Sequence, residues 1–375
     1  MNHRQAGVLC LVLTAVFLIA GWWPFKTFPR NHVSWLPDRH GLAFGRPGVA
    51  YDPDPLPAPV ADSSGNHVPG FTVEVSLEAA LEPGDSFPHI VTIHDGRTPS
   101  IFVIGQWQSD LLVRVPVPGK PNRTREAGIN ALRKGEPHVV VISGDSKSTA
   151  FYLDGRLSRR RTDFKLPLDA VRGQLILGNA ASGKRAWSGS LFGIAIFNRA
   201  LDAKDVAAHQ AVWTRGAVHE LANEPGLSAL YSFAEGAGQY VSDHSPSQHR
   251  LFIPSEYVVL DKTVLGNSRS VLPRDWRAAK DIVLNLVGFV PFGFLTFIYY
   301  RGTSTGRWLR TLTVATLAGA ALSLVIEVGQ VWLPTRDSSL LDLALNTAGS
   351  GIGAVLAGWI TVAGSLPRGA DRRDG

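Results

Sequence analysis

The 375-residue chain contains one cysteine, Cys10, so it can form no internal disulfide and no thiolate cluster for a metal ion. It has neither a phosphate-binding P-loop nor a GxGxxG turn between a predicted strand and helix, which excludes the common nucleotide-binding motifs. No histidine follows His249, so the last third of the chain lacks the base that serine or cysteine nucleophiles need. This argues against nucleophilic and zinc chemistry in the membrane part and leaves carboxylate chemistry open.

Charged residues are scarce in four long apolar stretches, each close to the roughly 20 residues that cross a bilayer. The stretches cover residues 6–23, 282–300, 308–333 and 340–362. The first ends in Trp22 and Trp23 without a small-x-small cleavage motif. It is therefore predicted to be an uncleaved anchor with an aromatic interface rather than a signal peptide.

The formal net charge is +6, and much of the positive charge borders the apolar stretches. This location favours a membrane surface over a nucleic-acid partner. Arginines concentrate at residues 301–310 and in the tail, whereas the loop after the third stretch holds only Arg336. The positive-inside rule therefore predicts cytoplasmic N- and C-termini and an extracytoplasmic region between the first and second stretches.

Short apolar runs fill that long region. Residues 71–78 alternate strictly between apolar and polar types, which predicts a strand with one face on a core and the other in water. Further β runs, separated by turn residues, follow at residues 138–142, 149–153, 174–177 and 191–197. The pattern predicts an all-β sandwich. One helix is expected at residues 202–213, with Asp202 as its cap.

The closing part of the region carries its most specific motifs. Residues 151–155 read Phe-Tyr-Leu-Asp-Gly, residues 187–193 read Trp-Ser-Gly-Ser-Leu-Phe-Gly, and residues 198–201 read Asn-Arg-Ala-Leu. With these motifs, residues 35–260 resemble a laminin-G-like, concanavalin A-like jelly roll. The resemblance implies two antiparallel sheets that bind carbohydrate or protein.

Trp107, flanked by two glutamines, is the candidate ligand-binding residue of the sandwich. Sugar sites combine an exposed aromatic platform with amides and acids. The alternative is that Trp107 packs in the core. His89, His94 and Asp95 match no strong metal-ligand template, and a turn after a strand explains their spacing. No metal and no cofactor is therefore predicted.

Polar residues interrupt the last three apolar stretches in a regular pattern. Two stretches have an acid, an amide and a glycine, and the third has a serine, an acid and an amide, in each case at positions i, i+4 and i+7, which share one face of a helix. Uncompensated polar groups are costly in hydrocarbon, so the three stripes are predicted to face one another. The stripes are Asp281, Asn285 and Gly288, then Ser323, Glu327 and Gln330, then Asp342, Asn346 and Gly349, with Arg336 in the loop before the last.

In the predicted topology these polar groups gather in the outer half of the bilayer. Glu327 lies about two turns from its helix end and is predicted either to pair with Arg336 or to stay protonated. The other members have structural alternatives. Asp281 and Asp342 stabilise helix N-termini by their charge, and the two asparagines join helices by hydrogen bonds.

The same residues, with Phe289-Val-Pro-Phe-Gly293 after Asn285, resemble the VanZ-like family of membrane proteins, named for a teicoplanin-resistance protein. The resemblance implies a bacterial cytoplasmic membrane and a role like that in glycopeptide resistance. The predicted fold is mixed, with an all-β jelly-roll sandwich inserted between an N-terminal transmembrane helix and a three-helix transmembrane core. The predicted domains are an anchor at 1–24, the sandwich at 35–262, a linker at 263–280, the VanZ-like core at 281–364 and a cytoplasmic tail at 365–375.

Three functions from different classes fit these features. In the favoured one, the sandwich captures a glycan or surface ligand while the core holds a membrane lipid or a lipid-linked envelope precursor. In the second, an intramembrane enzyme acts on a lipid-linked head group, with Glu327 as general acid or base and Arg336 as anion clamp. The third is an anchor that displays the sandwich, although one helix would suffice for that. No catalytic residue is assigned, because the membrane part has no nucleophile–base pair.

Overall fold

The computed structural model describes residues 2–56, 68–80, 86–97, 99–166, 172–266, 276–303 and 308–363. The chain divides into two compact units, which are residues 28–261 and residues 1–27 with 262–375. The first, the β unit, has a large hydrophobic core of its own. The second, the helical unit, has two smaller apolar clusters between its helices.

The described part of the β unit includes antiparallel strands, helix α2 (Ala203–Arg215) and the 3-10 helix Val218–Asn223. The strands are β1 Val33–Trp35, β2 Leu42–Phe44, β3 Ala50–Pro55, β4 Pro69–Ala79, β5 His89–His94, β6 Phe102–Trp107, β7 Asp110–Val117, β8 Lys120–Asn130, β9 His138–Asp145, β10 Thr149–Leu153, β11 Arg156–Arg161, β12 Gln174–Leu177, β13 Gly189–Arg199, β14 Leu227–Tyr231, β15 Tyr240–Ser242 and β16 Arg250–Phe252. One sheet has the order β1-β2-β13-β4-β9-β10-β11, with β14 beside β13, and the other has the order β15-β16-β3-β12-β5-β6-β7-β8. The predicted sandwich is confirmed.

The main core of the β unit lies between these sheets. Val73, Val75 and Leu77, alternate residues of β4, are fully buried in it. Each such aliphatic side chain contributes about 1.5–3 kcal/mol when it leaves water. Trp187 is also fully buried, and its Nε1 donates to Oε1 of Gln106 at 2.8 Å. Hydrophobic alternation thus fixes which face of β4 meets the other sheet.

The polar face of β4 is not in water at Thr72 and Glu74, contrary to the prediction from its alternation. Thr72 and Glu74 are fully buried, because helix α2, Ala203–Arg215, covers this face of the sheet. His209 and Trp213 of α2 donate to the two carboxylate oxygens of Glu74, each at 2.8 Å. The polar residues of the alternation serve buried hydrogen bonds instead of hydration.

Helix α2 begins where its sequence signals place it. The Asp202 side chain accepts hydrogen bonds from two backbone N–H groups of the first turn, which would otherwise lack acceptors. Gly216 follows the last turn with a φ of 70°, the left-handed conformation that glycine adopts at little cost. Both helix ends are therefore determined locally.

In its described residues the helical unit contains five helices. They are α1 His3–Trp22, α3 Trp276–Gly288, α4 Val290–Thr303, α5 Trp308–Gln330 and α6 Leu340–Ala363. Among the described residues, four segments have the length and apolarity of membrane spans: His3–Trp22, Ala279–Gly302, Trp308–Gln330 and Leu340–Thr361. The second is broken between α3 and α4, because Pro291 has no N–H to continue the helical hydrogen bonds of α3.

Glycines let α6 approach α4 closely. A Cβ atom on Gly293 of α4 would overlap the backbone of Ser350, and one on Gly353 of α6 would overlap the carbonyl oxygen of Val290. Small residues at such crossings bring helix backbones into contact within membranes. The close crossing holds α6 against the α3–α4 pair, so polar side chains on these helices lie within reach of each other.

Candidate functional site

One cavity of about 630 Å³ in the helical unit is lined by seven of the eight polar residues singled out from the sequence. The eighth, Ser323, is fully buried and bonded to one of the seven. Helix α1 also lines the cavity, through Phe17, Ala20 and Gly21. The seven polar residues are Asp281, Asn285, Glu327, Gln330, Arg336, Asp342 and Asn346.

Two amide side chains connect the helices around this cavity. Nδ2 of Asn285 on α3 donates to Oδ1 of Asp342 on α6 at 2.7 Å. Nδ2 of Asn346 on α6 donates to Oγ of Ser323 on α5 at 2.9 Å. Asn346 is 4% exposed, and its Oδ1 has no hydrogen-bond partner among the described residues. One hydrogen-bond acceptor of a residue that lines the cavity therefore remains unused.

Glu327 is the most deeply buried acid of the cavity, with 2% of its surface exposed. Its Oε2 accepts a hydrogen bond from the backbone N–H of Ser339 at 2.7 Å. Ser339 immediately precedes α6, so the carboxyl group lies at the positive end of that helix dipole. This contact depends on the path of the loop between α5 and α6, which periodicity alone does not show.

Arg336 lies in that loop but does not bind Glu327. Its Nε donates to the carbonyl oxygen of Trp23 at 2.9 Å, and its NH2 group donates to that of Ala20 at 3.3 Å. Gln330 donates to the carbonyl oxygen of Gly21 at 3.1 Å. The predicted Glu327–Arg336 pair is therefore wrong as a direct contact. Arg336 and Gln330 instead donate hydrogen bonds to backbone carbonyl groups at the C-terminal end of α1.

Trp107 of the β unit is 36% exposed and ends β6. Gln108 follows in the β6–β7 turn with a φ of 54°, whereas Gln106 is buried and accepts from Trp187. The ring is thus accessible, but only one of its flanking amides faces away from the core. Trp107 therefore has the exposed aromatic surface expected of a sugar site, but Gln106, one of its two expected amide neighbours, is buried.

A second cavity of about 550 Å³ opens where β11 faces β7 and β8, and sequence reasoning missed it. Arg159 and Arg161 line it with Asp110, Glu126 and Asn130. The arginines stand in the run Arg156–Arg161 of an edge strand, and that run was the signal in the sequence. Charges of both signs line this cavity, so no single ligand charge is favoured.

His89, His94 and Asp95 do not form a metal centre. Each histidine Nδ1 bonds a neighbouring hydroxyl group at 3.1 Å. Burial, together with the charges of Arg114 and Arg185, lowers the pKa of His89 to about 3. Across the described part of the chain, no group of three or more His, Cys, Asp or Glu residues is arranged to hold a metal ion.

Comparison with known families agrees with this architecture. Residues 229–361 match the VanZ/LLP1 family model. Residues 85–207 match the model of the concanavalin A-like lectin/glucanase superfamily. Both resemblances seen in the sequence are confirmed: residues 229–361 are VanZ-like and residues 85–207 are concanavalin A-like, and the four apolar segments have the length of membrane spans. No curated protein matches the chain.

Solved structures match the chain weakly. A putative carbohydrate binding protein from Bacteroides ovatus is 14% identical, with a TM-score of 0.38 and 59% of each chain covered. The IT-sialidase CBM40 of Ruminococcus gnavus, bound to α2,3-sialyllactose, is 11% identical, with a TM-score of 0.31, 44% of this chain and 100% of that chain covered. The receptor binding domain of botulinum neurotoxin type G is 9% identical, with a TM-score of 0.32 and 39% of each chain covered. The chain thus spans 39% and 59% of the length of the first two structures matched.

Proposed function

We propose that the helical unit binds the head group of a lipid or lipid-linked partner in its polar cavity, while the β unit binds a glycan at the cell surface. The observation that carries the proposal is that seven polar residues from α3, α5, α6 and the α5–α6 loop line one cavity. A volume of about 630 Å³ lies within the range of small-molecule sites, which is about 300–1,000 Å³.

The placement of the polar residues supports binding over a purely structural role. Asn285, Asp342, Asn346 and Ser323 join helices, and such bonds alone would serve stability. Glu327 is different, because a carboxyl group buried to 2% exposure is costly in a membrane unless a functional partner compensates for it. Ionisable residues inside membrane proteins commonly mark ligand or ion paths.

Orientation forms part of the proposal. The arginines between the second and third spans exceed those between the third and fourth, which supports cytoplasmic termini and an extracytoplasmic β unit. In this orientation the cavity opens on the outer half of the bilayer. A glycan held by the β unit would belong to the same compartment.

The lipid part of the proposal is tested with the full-length protein purified in a mild detergent. Co-purified lipids are extracted and identified by mass spectrometry for the native chain, for Glu327→Gln and for Thr313→Val. Thr313 is an exposed residue of α5 whose hydroxyl donates to Leu309 in its own helix, so it is a matched control. We expect Glu327→Gln to lower one retained lipid by about tenfold, since a hydrogen bond to a charged group contributes about 1.5–3 kcal/mol. Identical lipid profiles in all three proteins would refute the cavity as a binding site.

The glycan part rests on the match to the lectin/glucanase superfamily and on the exposed ring of Trp107. Residues 28–261 are screened on a glycan array. We expect a reproducible ligand whose affinity falls about two- to twelvefold in Trp107→Ala, because aromatic contacts contribute about 0.5–1.5 kcal/mol. Tyr240→Ala removes another exposed ring and is the control. A blank array would leave a protein ligand or a structural role for the β unit.

A further inference from the structure

We propose that the cavity of the helical unit recognises an ammonium group, carried by an amine-bearing head group. This inference rests on the proposed function and names the chemical class of the ligand. It follows from the balance of charges and hydrogen-bonding groups around the cavity. Neither the family matches nor the fold specifies that class.

Acidic side chains outnumber basic ones at the cavity wall. Asp281, Glu327 and Asp342 line it, and Arg336 is the one lysine or arginine among its described lining residues. A ligand with a phosphate as its deepest group would bring like charges together in a poorly solvated site, which is unfavourable. A cationic group is attracted by the same field.

The guanidinium group of Arg336 donates hydrogen bonds to backbone carbonyl groups and not to the acidic side chains of the cavity. Two of its nitrogen atoms, Nε and an NH2 group, donate to the carbonyl oxygens of Trp23 and Ala20. Within the described residues, no lysine or arginine forms an ion pair with Glu327 or Asp342. Their described donors are neutral: the backbone N–H of Ser339 and the hydroxyl of Ser338 for Glu327, and the amide of Asn285 for Asp342. A buried or half-buried carboxylate without a cation is costly, so a cationic ligand would stabilise both groups.

A second observation comes from Asn346 and does not depend on charge. Asn346 is only 4% exposed and lines the cavity, and its Oδ1 has no hydrogen-bond partner in the described structure. Its Nδ2 is already used by Ser323, so the free position is an acceptor. A buried acceptor without a donor is destabilising. A ligand N–H or O–H group would supply the donor that this oxygen lacks.

An ammonium group satisfies both observations. It carries a positive charge and three N–H donors, and it has no acceptor that would compete for the few donors of the site. A bare metal ion fits less well, because the described residues contain no group of three metal-binding side chains in suitable positions. The volume of about 630 Å³ also accommodates an organic head group.

The test measures binding to full-length protein in an amine-free maltoside detergent by native mass spectrometry. The probes are phosphatidylethanolamine and N-acetyl-phosphatidylethanolamine, which differ in the ammonium group while both retain the phosphate and chains. We expect the native protein to bind the free amine at least about tenfold more tightly, the gain of about one charge-assisted hydrogen bond. Soluble ethanolamine is added as competitor. Displacement shows that a free amine suffices, and no displacement shows that the ammonium must be carried on a lipid.

Variants connect this preference to the cavity. Asp342→Asn keeps the Oδ1 acceptor for Asn285, and Glu327→Gln keeps an oxygen for Ser339, so both remove charge with little change of shape. We expect each to reduce the preference to about twofold or less, while Thr313→Val retains it. Equal binding of both probes by the native protein would overturn the ammonium assignment.

The outcomes separate this inference from the function on which it rests. If both probes bind equally and Asp342→Asn weakens both, the cavity binds a lipid and only its ammonium specificity is refuted. If neither probe binds, or binding is unchanged in both acidic variants, lipid binding in the cavity itself is refuted. The comparison of the two probes uses the native protein, so it stands even if a variant fails to fold.

Discussion

Replacing Glu74 with glutamine should destabilise the β unit strongly, although the change removes no volume. The Glu74 carboxylate is fully buried and accepts hydrogen bonds from His209 Nδ1 and Trp213 Nε1, both at 2.8 Å. Glutamine offers one carbonyl oxygen and one NH2 group, which only donates. One of the two ring N–H groups must therefore face another donor, and α2 loses part of its attachment to β4.

The expected magnitude follows from these contacts. An unsatisfied buried donor costs about 1–3 kcal/mol, and breaking a buried charged pair costs about 3–5 kcal/mol. Burial alone lowers the pKa of His209, but the hydrogen bond and charge of Glu74 outweigh burial and raise it, so the pair is ionic in part. We expect a loss of about 3 kcal/mol in the free energy of unfolding, which lowers Tm by about 6–12 °C for a unit of this size.

The sign of the pH dependence provides an internal check. A histidine whose pKa is raised by folding contributes stability that is complete below its ordinary pKa of 6.5 and is lost as the pH rises through the folded value. The destabilisation by Glu74→Gln should therefore be largest below pH 6.5 and decrease in alkaline solution. A change of the opposite sign would contradict the proposed ion pair.

The assay is thermal unfolding of residues 28–261, followed by circular dichroism. Glu78→Gln is the matched control, because Glu78 lies on the same strand and pairs with Arg39 at 2.6 Å on the surface. Exposed pairs contribute about 0–1 kcal/mol, so the control should lower Tm by no more than about 2–4 °C. If Glu74→Gln lowers Tm no more than Glu78→Gln, the buried network does not hold α2 and the reasoning fails.

Three further predictions concern acid stability, helix packing and topology. The pKa of His89 is lowered to about 3, so between pH 6.5 and 3 the unfolded chain binds a proton there that the folded chain does not. The free energy of unfolding should therefore fall as the pH decreases from 6.5 towards 3. His89→Gln should flatten this fall in urea titrations of residues 28–261. Gly293→Val should disrupt the α4–α6 crossing and lower the thermal stability of the full-length protein in detergent, whereas Gly288→Val, where a Cβ meets no atom within 4 Å, should have little effect. A protease added outside intact spheroplasts should cleave the β unit and leave a C-terminal tag intact; cleavage of the tag alone would reverse the proposed orientation.

The sequence predicted the architecture well where the signals were local. Apolar runs of membrane length and period-two alternation depend only on neighbouring residues, and both elements formed as expected. Asp202 caps α2 as its position indicated, because a cap interacts with the next turn of its own helix. The break before Pro291 was less visible, since the apolar composition continues across it.

The candidate site was predictable in its members and not in its pairings. The spacing of Asp342 and Asn346 on one helix face follows from helical geometry, and so does that of Ser323 and Glu327. The spacing does not determine which of these side chains form hydrogen bonds with each other, because the distances between side chains on different helices depend on helix crossings set by glycine contacts. Arg336 shows the limit, since its acceptors lie at the end of α1, more than 300 residues away in the chain.

By itself, the sequence determined that a β-rich module and a membrane part with aligned polar stripes exist, because periodicity and turn chemistry act over a few residues. Only the tertiary structure decided that α2 buries the carboxylate of Glu74, that the polar stripes surround one cavity with α1, and that Oδ1 of Asn346 has no partner there. These features depend on contacts between residues far apart in the chain, and packing selects such contacts among many that the local pattern permits equally.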